Sequence, residues 1–168
     1  MTAADESTIE IESPVVADGS ALHRIATDSQ VLDVNSRYAY VLWCRDFAAT
    51  SVVARRGADV VGFVTGYRRP DRPDVLFVWQ VAVDAAARGG GVAGRMLDAL
   101  VARVPGVTTL ETTVTDDNAA SRALFAAFAA RHGAQVERSE LFGDVLGPQH
   151  EPEILHRISP IDRGMVKE

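Results

Sequence analysis

A chain of 168 residues with seventeen basic and twenty-three acidic side chains, net charge −6, is long enough to bury one sizeable core without covalent staples. Its negative balance argues against nucleic acid or an anionic membrane as the main partner. A single cysteine, Cys44, excludes an internal disulfide and suits a reducing, cytoplasmic setting.

Residues 1–8 and 161–168 read as loose polar tails around one domain spanning 9–160. Met1 to Ser13 is too acidic and polar for a signal peptide, and no apolar run is long enough to span a bilayer. Ile9 to Ser13 alternates apolar and acidic residues, which predicts a partly exposed strand. Asp18 is placed to cap a short helix carrying Leu22 and Ile25. Asn35 or Asp33 is placed to cap a second, from about Ser36 to Phe47. Apolar residues surround that helix, so burial or contact with a second subunit is expected. Ser51–Arg56 and Asp59–Tyr67 flank a turn with Gly57 and predict an antiparallel hairpin. A loop rich in Pro and Asp, Pro70 to Asp74, leads into Val75–Val83, apolar on both faces like a covered central strand.

Ala93, Leu97, Leu100, Val101 and Val104 recur at helical spacing, and Val107 to Val114 reads as the next strand. Ser121, Leu124, Phe125, Phe128 and Ala129 define a face of a further helix stopped near Gly133. Gln135–Phe142 and Glu153–Ile158 finish as two strands. This order predicts an α+β fold with a mixed sheet rather than a doubly wound parallel one.

The most informative stretch is Arg88-Gly89-Gly90-Gly91-Val92-Ala93, between the apolar strand and the next helix. Glycines there leave backbone N–H groups uncovered at the positive end of a helix, a seat for a phosphate or diphosphate. Gly89, Gly91 and Gly94 also fit the G-x-G-x-x-G dinucleotide pattern, with Glu111 near the ribose-binding position. Three features weigh against it. A hairpin precedes the motif, too little chain follows for a second nucleotide-binding half, and Glu111 falls inside a strand.

Arg88-x-x-Gly91-x-Ala93 matches the R/Q-x-x-G-x-G/A signature of the GCN5-related N-acetyltransferases. Asn118-x-x-Ser121-x-x-Leu124-Phe125 resembles that family's second block. The resemblance implies a mixed, mainly antiparallel central sheet flanked by about four helices, and acetyl-CoA as cofactor. It assigns cofactor binding to Val81, Ala82 and Val83 on the strand, to Arg88, Gly89, Gly90, Gly91, Val92, Ala93 and Gly94, and to Asn118, Ser121 and Phe125. Four further blocks look like the diaminobutyrate acetyltransferases of ectoine synthesis: Asp33-Val-Asn-Ser-Arg-Tyr-Ala-Tyr40, Leu76-Phe-Val-Trp-Gln-Val-Ala-Val83, Glu111-Thr-Thr-Val-Thr-x-x-Asn-x-Ala-Ser121 and His150-Glu-Pro-Glu153. The implied reaction transfers acetyl to the 4-amino group of L-2,4-diaminobutyrate, and the resemblance favours a homodimer.

A substrate with two ammonium groups and a carboxylate asks for carboxylates, aromatic walls and amides. The favoured acids are Asp33 and Glu153, with Glu151 competing for the place of Glu153. Trp79, Gln80, Tyr38, Asn35 and Thr113 would line the pocket, and Arg37 could take the substrate carboxylate. Glu153 or Asp33 is the candidate base. An N–H near Val83, freed by a strand bulge, is the candidate oxyanion donor. Related transferases often place a tyrosine where this chain has Phe125, so either Tyr38 donates a proton to the leaving thiolate or the thiolate departs unaided. Each candidate has a plainer reading: Asp33 and Asn35 as caps, Trp79 and Tyr38 as core, Glu153 as a solvated residue. Cys44 reads as core. His23, His132, His150 and His156 show no metal-ligand spacing, so no metal is expected, and His150 reads as a solvated loop residue. The alternatives are another polyamine, diamino acid or protein N-terminus as acceptor, or a non-catalytic acyl-CoA sensor.

Overall fold

The computed structural model describes residues 8–162. Its elements are β1 (Ile9–Glu12), α1 (Gly19–Ser29), α2 (Arg37–Asp46), β2 (Val52–Arg56), β3 (Asp59–Arg69), β4 (Arg72–Val83), α3 (Val92–Arg103), β5 (Thr109–Thr115), α4 (Ala119–Arg131), β6 (Gln135–Glu140) and β7 (Glu153–Ser159). The described residues form an α+β fold of seven strands, mostly antiparallel, and four α-helices. The described backbone divides into two compact units. The first ends at Tyr67 and resumes for Trp79–Pro105; the second comprises Arg68–Val78 and the chain from Gly106 on.

In the first unit the strand order is β1-β2-β3-β4. β1 lies antiparallel to β2, Ile9 opposite Arg56, and β2 antiparallel to β3 with a bulge between Ala54 and Arg55. β3 is buried from Val60 to Gly66, as a run of Val, Phe and Gly interrupted only by Thr65 demands of a strand covered on both faces. Leu22, Ile25 and Ala26 of α1 pack with Tyr40 and Cys44 of α2 on Val53, Val60, Phe63 and Ala82. The two helices cross at Gly19, where a Cβ would stand 2.8 Å from the Cα of Val41. α3 buries Met96, Leu97, Leu100 and Val101.

Two expected caps are not caps. Ser36 starts α2, its Oγ accepting the Ala39 N–H at 3.1 Å, because a hydroxyl at the position just before the helix reaches that amide directly. Asp33 and Asn35 lie too far upstream. Asp18 sits at the start of α1 without capping it. Its carboxylate instead accepts the Val15 N–H (2.9 Å) and two Arg55 N–H groups (2.9 and 2.6 Å), and Arg55 also holds Glu12. The expected loop from Pro70 to Asp74 shrinks to Pro70 and Asp71, and β4 begins at Arg72. Pro73 is tolerated at this exposed strand end, where its carbonyl accepts an Arg68 N–H at 2.9 Å.

In the second unit the order is β4-β5-β7-β6. β4 and β5 are parallel, paired from Val75↔Thr109 to Val78↔Thr112. β7 runs antiparallel to both β5 and β6, with Glu153 opposite Thr115 and Ile158 opposite Val136. Leu76, Leu110 and Ile158 are fully buried, and α4 buries Phe125, Phe128 and Ala129. Ile161 and Asp162, expected in the tail, are tied down: the first is buried and donates to the Thr108 carbonyl, the second to that of His132. The other expected tail positions, 1–7 and 163–168, lie outside the described residues, as Thr8 does not.

The C-cap of α1, Gln30, holds a left-handed φ of 59° that an L side chain resists. Gln30→Gly is expected to raise unfolding stability by about 0.5–1 kcal/mol, read from denaturant titration.

Candidate active site

The glycine bend occupies the place its composition predicts. A short turn, Ala85–Ala87, leads from β4 to Arg88, and Gly91 opens α3 with no side-chain cap on the first amides. Gly89 (φ 88°) and Gly91 (φ 72°) adopt left-handed conformations, and a Cβ at either would meet no atom within 4 Å. Glycine is required there by backbone shape, and the space beside it is open to a ligand. Val92 is buried, so it can offer the bend only its backbone. Arg88 folds back, its Nε donating to the Val83 carbonyl at 2.9 Å. Arg24 grips Asp84 through both terminal nitrogens, 3.0 Å each, which neutralises the carboxylate at the end of β4.

A cleft of about 380 Å³ flanks the bend, lined by Arg56, Arg88, Gly90, Val92 and Arg95 among others. A second, of about 280 Å³, shares Arg88 and is bounded by Ile25, Ser29 and Val83. Sequence reasoning missed Arg56 and Arg95. They are thirty-nine positions apart in the chain and only the fold brings the end of β2 beside the first turn of α3.

β4 carries a local irregularity before the bend. The Gln80 N–H donates to Thr65 Oγ1 at 3.2 Å, and that hydroxyl donates to the Gln80 carbonyl at 3.4 Å. β3 and β4 are joined by two residues, yet the Asp84 N–H reaches the Val61 carbonyl at 2.8 Å. β4 therefore uses more residues than β3 over the same stretch, the definition of a bulged strand. The parallel ladder stops at Val78↔Thr112, where Thr112 Oγ1 donates to the Val78 carbonyl at 3.1 Å, while β4 itself continues through Val81 and Ala82 to Val83.

Aromatic rings gather around Trp79 in the first unit. Trp43 stacks on it at 4.4 Å and Tyr40 at 6.1 Å, with Phe47 and Tyr67 against Trp43. Tyr40 is fully buried, and its hydroxyl donates to Gln80 Oε1 at 2.9 Å. Gln80 Nε2 in turn donates to the Asp33 carbonyl at 2.8 Å. Gln80, predicted as a substrate contact, thus spends its amide on the fold. Tyr38, predicted as a pocket wall, is 71% exposed. Two positions apart on α2, Tyr38 and Tyr40 face opposite ways, and Tyr40 takes the inner one. Asp33 and Arg37 are exposed, and Asn35 is half-buried with its Nδ2 on the Asp33 carbonyl. Cys44 is core, and burial pushes its thiol up to about 11.

In the second unit Asn118 caps α4, its Oδ1 accepting the Ser121 N–H at 3.1 Å, which explains the spacing of those two residues. Phe125 is 2% exposed. Thr113 is half-buried on β5, opposite Leu155. Of the two competing glutamates, Glu153 is drawn in, its Oε1 3.8 Å from His150 Nε2, while Glu151 stays exposed. His150 was read as a solvated loop residue, but a ring nitrogen lies 2.6 Å from the Glu151 carbonyl and the other faces Glu153. Glu111 is buried between Arg157 (3.0 Å) and Arg69 (3.7 Å), so its carboxylate serves the sheet and not a ribose. No group of three or more metal-ligating side chains occurs among the described residues, and no described helix is long and apolar enough to cross a membrane.

The profile of the acetyltransferase (GNAT) family matches residues 20–129. An L-2,4-diaminobutyric acid acetyltransferase of Streptomyces coelicolor is 57% identical over 98% of this chain and 99% of its own length. One from Halalkalibacterium halodurans is 42% identical over 93% and 84%. The solved diaminobutyrate acetyltransferase EctA of Paenibacillus lautus, in complex with L-2,4-diaminobutyric acid and coenzyme A, superposes with a TM-score of 0.87 at 35% identity, covering 91% of this chain and 95% of that one.

Two chemical outcomes follow. The Cys44 thiol, held near 11 by burial, is expected to resist iodoacetamide at pH 7.5 in the folded protein and to react once urea unfolds it; mass spectrometry reads both. His156 is 4% exposed with Nε2 unpaired, and burial, reinforced by Arg138, lowers its pKa from 6.5. As pH falls through 6.5 the unfolded chain takes up this proton and the folded one does not, so stability drops. His156→Gln is expected to lose less thermal stability than the parent between about pH 7.5 and 5.5.

Proposed function

This chain belongs to the acetyltransferase (GNAT) family, and we propose that it transfers the acetyl group of acetyl-CoA to the 4-amino group of L-2,4-diaminobutyrate, giving N4-acetyl-L-2,4-diaminobutyrate in ectoine biosynthesis. The observation that carries this reading is the uncapped glycine bend at the start of α3, set among arginines, in a chain alignable end to end with diaminobutyrate acetyltransferases.

Acetyl-CoA supplies an acetyl group already activated as a thioester. The chain's own task is to position it against a neutral amine, which on its own can lower the barrier by several kcal/mol, on the order of 7 or more in well-oriented systems. Amides of Gly89, Gly90 and Gly91, backed by Arg88 and by the helix end through Val92, Ala93 and Gly94, hold the diphosphate. The backbone of Val81, Ala82 and Val83 aligns the pantetheine arm, and an N–H of this bulged stretch, assigned to Val83, faces the developing oxyanion. The family resemblance assigns Asn118, Ser121 and Phe125 of the second unit to the cofactor as well. Glu153 receives the substrate ammonium and takes its proton, with His150 as neighbour; Asp33 is the second acid. Trp79, Asn35, Tyr38, Arg37 and Thr113 shape the rest of the acceptor site. Phe125 has no proton to give, so either Tyr38 supplies one or the thiolate leaves unaided, as a group of pKa about 8.5 can. Residues 9–160 act as one catalytic domain, in a cytoplasmic homodimer.

Thiol release from acetyl-CoA is expected with L-2,4-diaminobutyrate and to be far slower with lysine, ornithine or spermidine. No release with diaminobutyrate would overturn the assignment. Glu153→Gln is expected to raise the KM for diaminobutyrate or lower kcat by roughly tenfold or more, the scale of one charge-assisted hydrogen bond, leaving the KM for acetyl-CoA unchanged.

A further inference from the structure

The cleft beside the glycine bend gathers three guanidinium groups: Arg56 from the end of β2, Arg88 from the bend and Arg95 from the first turn of α3. Among the described residues no Asp or Glu lines it, in a chain whose net charge is −6. Arg95 is steadied from outside, one terminal nitrogen donating to the Ile9 carbonyl at 3.0 Å. Arg56 is half-buried and has no side-chain partner among the described residues. A cation withdrawn from water without a counter-charge is costly, and an anion delivered to the cleft would offset that cost.

We infer that Arg56 and Arg95 form a phosphate-monoester subsite that takes the 3′-phosphate of coenzyme A and makes the chain selective for the 3′-phosphorylated donor. This rests on the reading of the bend as the diphosphate seat. The two phosphate groups of the cofactor nucleotide ask for different hosts. A diphosphate diester suits a row of backbone amides, whereas a terminal monoester approaching two negative charges suits paired arginine forks. The bend offers the first and the adjoining cleft, sharing Gly90 and Arg88 with it, offers the second.

The experiment compares acetyl-CoA with acetyl-dephospho-CoA as donors for the parent protein and for Arg56→Gln, Arg95→Gln and Arg103→Gln. Arg103 is the structural control. It lies on the same helix and donates to the Ile11 carbonyl of the same strand at 2.6 Å, but it does not line the cleft. The parent is expected to prefer acetyl-CoA in kcat/KM by roughly tenfold or more. Arg56→Gln and Arg95→Gln should shrink that preference by raising the acetyl-CoA KM alone, and Arg103→Gln should keep it whole. Inorganic phosphate, the other source of the same chemistry, should compete against acetyl-CoA and not against acetyl-dephospho-CoA. Competition against both donors, equal use of both by the parent, or an undiminished preference in the two cleft variants would overturn the subsite. A lack of turnover with either donor would remove the functional reading as well, so the two failures are told apart.

Discussion

The side chain of Gln80 joins β4 to α2 and to the segment before it in the first unit. Its carbonyl oxygen takes the buried Tyr40 hydroxyl and its amide nitrogen holds the Asp33 backbone at 2.8 Å, a bond partly open to water. Its main chain is meanwhile clasped by the Thr65 hydroxyl. A buried amide is tolerable only when both ends are paired, and an orphaned partner would cost about 1–3 kcal/mol. That requirement fixes α2 and the segment before it against β4, with the plane of Trp79 one residue away. The position of the Trp79 ring is thus set by a polar clip and not by apolar packing alone.

Electrostatics in this chain work locally against its overall sign. An acidic protein that handles an anionic cofactor must keep its carboxylates away from the seat. Here Asp84, the nearest to the bend in sequence, is occupied by Arg24, and Asp18 by Arg55. Arg88 and Arg95 at the bend bond only backbone carbonyls, those of Val83 and Ile9, so neither is tied to a described carboxylate. Glu111 shows the same economy in the second unit, enclosed by Arg157 and Arg69.

Much of this was legible in the residues. Helices and strands followed from apolar period, since each element has one face or two to cover, and the glycine bend announced itself because few other roles need three glycines between a strand and a helix. Caps were misplaced because Asp33, Asn35 and Ser36 all have the right chemistry, and only distance to an amide chooses among them. Tyr38 and Tyr40 could not be separated for a similar reason: a helix apolar all round has no readable inner face. Arg56 and Arg95 were hidden because nothing local distinguishes a surface arginine from one that the fold brings beside the glycine bend. His150 gained its place only when the loop before β7 brought it round to Glu153.

Every residue of β6 is exposed, and the strand is last in its order, so one backbone edge has no neighbouring strand among the described residues. What discourages an unwanted strand from docking there is the run of Glu137, Arg138 and Glu140. Such a guard is electrostatic and therefore screened: its reach contracts from about 10 Å in 0.1 M salt to about 3 Å in 1 M. Self-association through this rim is held off best in dilute electrolyte and least in brine.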